Sequence, residues 1–273
     1  MRINIKIIVL IFAGGLVAIW LAGSYLGFSG GDNFFPTRTP LPGFYGNSTP
    51  TPSLSPGASP QISGTSLPTR TPSPKPIGGK VIKADVLFTS QAPFGDWSDP
   101  RYQDGCEEAA ALMAVYWARG ITSLTAEQAN GQIIGMADWE KMLYGTFHDT
   151  SAEDTVARIF KQYFGYTNAR VVNDVTAEDI IDELENKNLV IVPADGRALK
   201  NPFFTSPGPE RHMLVIIGYD YGTEEFITND PGTRNGRGYR YSKDVLFEAT
   251  RDYPTGYHEP IIGVAKNMIV VEK

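Results

Sequence analysis

The chain has 273 residues, 42% of them hydrophobic, which is enough for one or two domains with a buried core. Charge is unevenly divided: residues 1–80 hold six Lys or Arg and one Asp, whereas residues 81–273 hold 18 Lys or Arg against 29 Asp or Glu. A surface that acidic repels phosphate polymers and anionic lipid, which argues against nucleic acid as a partner and means that any membrane attachment must come from elsewhere in the chain.

The N-terminus supplies it. Arg2 and Lys6 precede an uncharged apolar stretch from Ile7 to about Phe28, long enough to cross a bilayer core as a helix. Positive charge before the stretch predicts residues 1–6 inside, a signal-anchor helix over 7–28 and the rest of the chain outside the cell membrane. The alternative is a cleaved signal peptide and a secreted product, since Leu21-Ala22-Gly23 offers small residues without an A-x-A pattern. Either route exports the acidic part.

Residues 29–79 follow as a Pro/Thr/Ser-rich segment; Pro36 to Pro76 hold 11 of the 20 prolines. Such a segment has too little apolar surface to offset its ordering entropy, and the prolines keep it extended, so it is expected to be a disordered stalk without a docking role.

From Lys80 onward the patterns become globular, starting with a strand-like stretch from Val81 to Phe88. A helix is expected to start at or just before Cys106, because Ala109, Leu112, Met113 and Tyr116 fall at helical spacing and Gly120 ends the pattern. Ser151-Ala152-Glu153-Asp154 and Thr176-Ala177-Glu178-Asp179 resemble acidic helix-capping sequences. Leu189 to Val192, Met213 to Tyr219, Glu225 to Thr228 and Asn267 to Val271 are short branched or aromatic runs bounded by turn residues, hence strands. Helices early and strands late predict an α+β domain over 80–273, with N-terminal helices packed on an antiparallel sheet.

A single cysteine cannot form an internal disulfide, so in an exported chain Cys106 is either a buried packing residue or a reactive thiol. Its place at a helix start favours the thiolate through unpaired N–H groups and the helix dipole. Glu107 and Glu108 act the other way unless they point away from the sulfur, and a cationic imidazole would more than offset them. Of three histidines, His148 and His258 lie in segments that read as surface, whereas His212 opens an apolar strand and is the candidate general base.

If Met213–Tyr219 and Glu225–Thr228 form a hairpin around Asp220-Tyr221-Gly222-Thr223, 212 faces Asp230, which sits at a strand end closed by Pro231. A slip of one residue would substitute Asn229. An Asx-Pro turn is the plain alternative for this segment; Asp230 is the better orienter because it also stabilises an imidazolium. Gln91 is a candidate amide donor for an oxyanion. One Cys and three dispersed His give no metal-ligand spacing, so no cofactor is expected.

Taken together, Thr89-Ser90-Gln91, Asp104-Gly105-Cys106-Glu107, Arg211-His212-Met213-Leu214-Val215-Ile216-Ile217-Gly218-Tyr219-Asp220 and Thr228-Asn229-Asp230-Pro231-Gly232-Thr233 resemble the cysteine peptidases similar to bacteriocin-processing double-glycine peptidases. The resemblance spans about residues 80–273. It implies a papain-like fold, with Cys106 as nucleophile, His212 as base, Asp230 as orienter and Gln91 as oxyanion donor. Cys-Glu-Glu stands where many processing peptidases have Cys-Gly-Pro, so the double-glycine leader need not be the substrate. The expected protein is a membrane-anchored, monomeric thiol peptidase acting on peptide or protein outside the cell. A cell-wall peptide amidase of the same mechanism and an inactive papain-like binding module are the alternatives.

Overall fold

The computed structural model describes residues 79–273. The expected anchor helix and all but the last residue of the stalk lie outside the described residues, among which no helix is long and apolar enough to cross a membrane.

All strand pairings are antiparallel. The sheet contains β1 (Val81–Lys83), β2 (Ala169–Val172), β3 (Leu189–Ala194), β4 (His212–Asp220), β5 (Glu225–Asn229), β6 (Arg237–Ser242) and β7 (Met268–Val271), in the order β2-β7-β3-β4-β5-β6. β4 is the central strand. Along one edge β3 pairs with His212 to Ile216 and β1 pairs with Gly218 to Asp220, while β5 takes the other edge. Every residue of β4 is buried, as expected for a strand apolar on both faces.

The alternation along β4 divides the core in two. Met213, Val215 and Ile217 point into one cluster and Leu214 and Ile216 into the other. The first cluster is filled by α2 (Cys106–Ala118), which follows the short α1 (Pro100–Gln103), by α3 (Ala126–Tyr144), and by α4 (Ala152–Asp154) with the π-helical turn Thr155–Tyr163 that continues it. The second is covered by α5 (Ala177–Glu185), by α6 (Gly196–Leu199) and by α7 (Lys243–Ala249). The fold is therefore the expected α+β arrangement of helices on an antiparallel sheet, except that the later helices cover the face the early ones leave open.

α2 is apolar nearly all round: Ala109 through Val115 are each fully buried, which places this helix between α3 and the sheet. Gly105 is its N-cap, so no side chain caps its first turn. A Cβ at 105 would sit 2.7 Å from the Arg101 carbonyl, so the close approach of α1 to α2 requires glycine.

Three expectations need correction. The strand expected from Val81 to Phe88 ends at Lys83, because β4 has no edge left for it; β3 occupies the next stretch. The β4–β5 hairpin is not in the expected register. Asp220 pairs with Glu225 around a Tyr221–Glu224 turn, and a bulge between Ile216 and Gly218 leaves Val215 opposite Asn229. Asp220 Oδ1 fixes that turn by accepting from the Gly222 and Thr223 N–H groups. Finally, His148 is half-buried rather than on the surface, with Nδ1 2.6 Å from Asp104 Oδ2; His258 is exposed as expected.

Candidate active site

The site lies where the N-terminus of α2 meets the start of β4. A cleft of about 540 Å³ is lined by Cys106, His212, Gln91, Trp97, Phe203 and Arg234, among others. Residues more than a hundred positions apart in sequence thus line one cleft, because α2 packs on β4 and the first residue of each, Cys106 and His212, faces it.

His212 Nε2 lies 2.7 Å from Asp230 Oδ1, and both side chains are buried. The register error did not separate them. At the site end the strands are offset by two residues from the expected pairing, and an even offset keeps a side chain on the same face of the pleat. Asn229, on the opposite face, donates instead to the Val86 and Leu87 carbonyls and anchors the segment leading to Gln91.

Asp230 is held at every lone pair. Oδ1 also accepts from the Gly232 N–H at 3.0 Å, and Oδ2 accepts from the Tyr241 hydroxyl at 2.6 Å and the Asn201 amide at 3.3 Å. Burial alone would raise this carboxyl, but the charge and hydrogen bond of His212, the Tyr241 hydroxyl and the Gly232 N–H outweigh it and hold Asp230 below the usual carboxylate range. An ionised Asp230 only accepts, so the proton on Nε2 belongs to the imidazole and Nδ1 is the nitrogen left for chemistry. Phe204 meets the His212 ring edge to face, with centroids 5.3 Å apart, and fixes its plane.

Cys106 begins α2, as the sequence indicates, but its environment is more acidic than expected. Glu107 does not point away: its Oε2 lies 3.0 Å from Cys106 Sγ. Burial pushes the Cys106 thiol well above its ordinary value, and the carboxylates of Glu107, Glu108 and Asp149 push it further. The thiol is therefore protonated at rest near neutral pH.

Gln91 is buried in the same cleft. Its amide nitrogen donates to the Tyr102 and Gln103 carbonyls at 2.8 and 3.0 Å, which uses both N–H hydrogens, while Oε1 has no partner among the described residues. In this arrangement Gln91 has no free N–H, and the first turn of α2 beside the sulfur has no capping side chain over its backbone N–H groups.

Sequence reasoning did not single out Tyr241, Asn201, Tyr253 or Asp149. Tyr241 and Asn201 come from an edge strand and a loop whose polar side chains look solvated until the fold turns them onto Asp230. Among the described residues, no group of three or more His, Cys, Asp or Glu side chains is arranged to hold a metal ion.

With this geometry in hand, residues 83–256 match the model of the Peptidase C39 like family. The chain belongs to that family. The matched span contains all four candidate residues and stops before β7. A crystal structure described as a C39-like peptidase from Bacillus anthracis is similar at 13% identity, covering 71% of this chain and 98% of that one with a TM-score of 0.45. Among curated proteins, none matches this C39-like chain.

Proposed function

We propose that this C39-like domain is a papain-like cysteine peptidase, tethered outside the cell membrane by residues 7–28 and the stalk, that hydrolyses peptide bonds through Cys106, His212 and Asp230. The observation that carries the reading is the buried His212–Asp230 pair at 2.7 Å on the wall of the cleft that also holds Cys106. It leaves Nδ1 of a correctly polarised imidazole for the thiol.

In the proposed cycle, His212 Nδ1 takes the Sγ proton as the sulfur attacks the substrate carbonyl carbon. Asp230, already ionised, stabilises the imidazolium. The developing oxyanion is met by backbone N–H at the start of α2 and by Gln91 once one of its two carbonyl bonds is exchanged for the substrate. The imidazolium gives its proton to the leaving amine, and water, deprotonated by His212, resolves the thioester at Cys106. With Glu107 ionised, the raised thiol pKa fits a proton that leaves the sulfur on substrate binding.

Changing Cys106 to Ala is expected to abolish hydrolysis of peptide pools and labelling by iodoacetamide; activity that persists rules the nucleophile out. Release of stem-peptide fragments from purified wall separates the cell-wall amidase reading from general peptide hydrolysis. Two observations favour a second reading, a binding module without turnover: the sulfur is hydrogen-bonded to a carboxylate, and both Gln91 N–H hydrogens are taken up by main-chain carbonyls. A measured thiol pKa of about 8.5 or above together with no turnover supports that module.

A further inference from the structure

Glu107 is a buried carboxyl that the cycle above does not use, yet it touches the reacting atom. Its two oxygens have different surroundings. Oε1 accepts from the Thr150 N–H at 3.1 Å and from the Tyr253 hydroxyl at 2.8 Å, while Oε2 faces Cys106 Sγ at 3.0 Å. With two donors already on Oε1, a proton added to this carboxyl must sit on Oε2, and it must then point at the sulfur.

We propose that Glu107 is a further catalytic residue whose protonated form donates a hydrogen bond from Oε2 to the Cys106 thiolate, so that this site works best on the acid side of neutrality. The inference rests on Cys106 being the nucleophile. In the ionised form of Glu107 the Sγ–H donates to Oε2 and the sulfur keeps its proton. In the protonated form that acceptor is gone; the Sγ proton passes to His212 Nδ1, and the thiolate left behind accepts from Glu107 Oε2–H. One proton moves from sulfur to nitrogen and no bond to oxygen is broken.

The groups facing Glu107 support a change of state near neutrality. Burial raises its carboxyl first, Asp149 on the loop before α4 raises it further, and the bonds from Cys106 and Tyr253 pull it back, leaving it at about 7. Glu108 on the same helix and Glu140 on α3 are themselves buried and pushed up, Glu140 to about 8. Asp104 precedes the helix and is bonded to His148. Asp149 is offset by Arg211 and His258. His212 is the only other titratable group that this cycle brings to the sulfur.

The test is the rate of Cys106 alkylation by iodoacetamide in the full chain between pH 6 and 8, beside the kcat/KM profile on a cleaved peptide. Wild type is expected to lose about tenfold in alkylation rate across that interval as a group titrating near 7 ionises. A free thiol would gain instead. Glu107→Gln should abolish the fall, because its amide keeps a donor on the sulfur side and its oxygen on the Thr150 and Tyr253 side. Tyr253→Phe removes a donor from Oε1 and should move the midpoint of the fall to higher pH, which keeps the idea testable if Glu107→Gln does not fold. A fall that survives in Glu107→Gln, or a midpoint unmoved in Tyr253→Phe, overturns the assignment. Alkylation that follows the expected pattern without peptide hydrolysis supports it and removes only the peptidase reading; hydrolysis with a profile unchanged in Glu107→Gln does the reverse.

Discussion

The Tyr241 hydroxyl donates to Asp230 Oδ2 at 2.6 Å, on the far side of the carboxylate from His212. An edge-strand tyrosine thereby helps hold the charge and direction of the proposed orienter, Asp230. Burial pushes the Tyr241 phenol up, and the Asp230 charge adds to it, so the hydroxyl keeps its proton and remains a donor.

Tyr241→Phe should leave Asp230 Oδ2 with the Asn201 amide alone. The expected result is a kcat lower by roughly tenfold with KM little changed, and a destabilisation of about 1–3 kcal/mol from the lost hydrogen bond to a buried charged oxygen. The acid limb of the rate profile should also move to higher pH, because Asp230 loses one of the contacts that hold its carboxyl down. Steady-state kinetics across pH and a denaturant melt read these effects separately.

Gly232 supplies a backbone donor to Asp230 and lies against the imidazole. A Cβ there would meet His212 Cε1 and Phe204 Cε1, each at 2.9 Å. Gly232→Ala should therefore turn the ring out of line; a displacement of that size costs on the order of 100-fold in rate while the fold survives. A variant with wild-type kcat would show that the ring has room to move without loss.

Glu108 and Glu140 are buried acidic neighbours on α2 and α3 that take no part in the proposed proton transfers, although Glu108 adds to the rise of the Cys106 thiol. Burial raises Glu140 to about 8 and Glu108 well above its ordinary value, each also raised by a neighbouring carboxylate. Both folded-state values lie above the unfolded one, about 4.3, so this contribution to stability is fully present below that pH and is lost as pH rises through about 8. The melting temperature of the domain should fall between pH 5 and 9. Glu140→Gln should flatten that fall and stabilise the protein at pH 9 by roughly 1–3 kcal/mol; an equally steep fall in the variant would show that the pair does not cause it.

The proposed tether is read from fractionation. The full chain should stay with membranes through a carbonate wash and deletion of residues 7–28 should release it. An N-terminus that starts shortly after Gly23 on the mature protein would instead establish a cleaved signal and a secreted enzyme.

Much of this architecture was legible because burial leaves strong periodic marks. β4 is apolar on both faces, the Thr176 capping box opens α5, and the apolar run of α2 begins at Cys106. α3 was missed although Thr125 and Gln128 form a capping box, since its inward face is built from Ala129, Ile133, Met136, Ala137 and a glutamate, Glu140, and carries little apolar contrast. β6 was missed because an edge strand needs few buried residues, and its Tyr241 counts only through Asp230. The hairpin register departs from expectation at the turn, where Asp220 pairs with Glu225, and the bulge between Ile216 and Gly218 then brings the offset from three residues to two; no local residue pattern announces either. The direction of Glu107 was equally hidden, because it is set by Thr150 and Tyr253, distant in sequence.

The most direct measurement is the intact mass of the protein quenched in acid during turnover of a cleaved peptide. With Cys106 as nucleophile, wild type should carry an acyl adduct that maps to Cys106, absent from Cys106→Ala and accumulating in variants slow to admit water. Hydrolysis that proceeds with no adduct on that sulfur, or at an equal rate after His212→Ala, would contradict the shared role of the two residues.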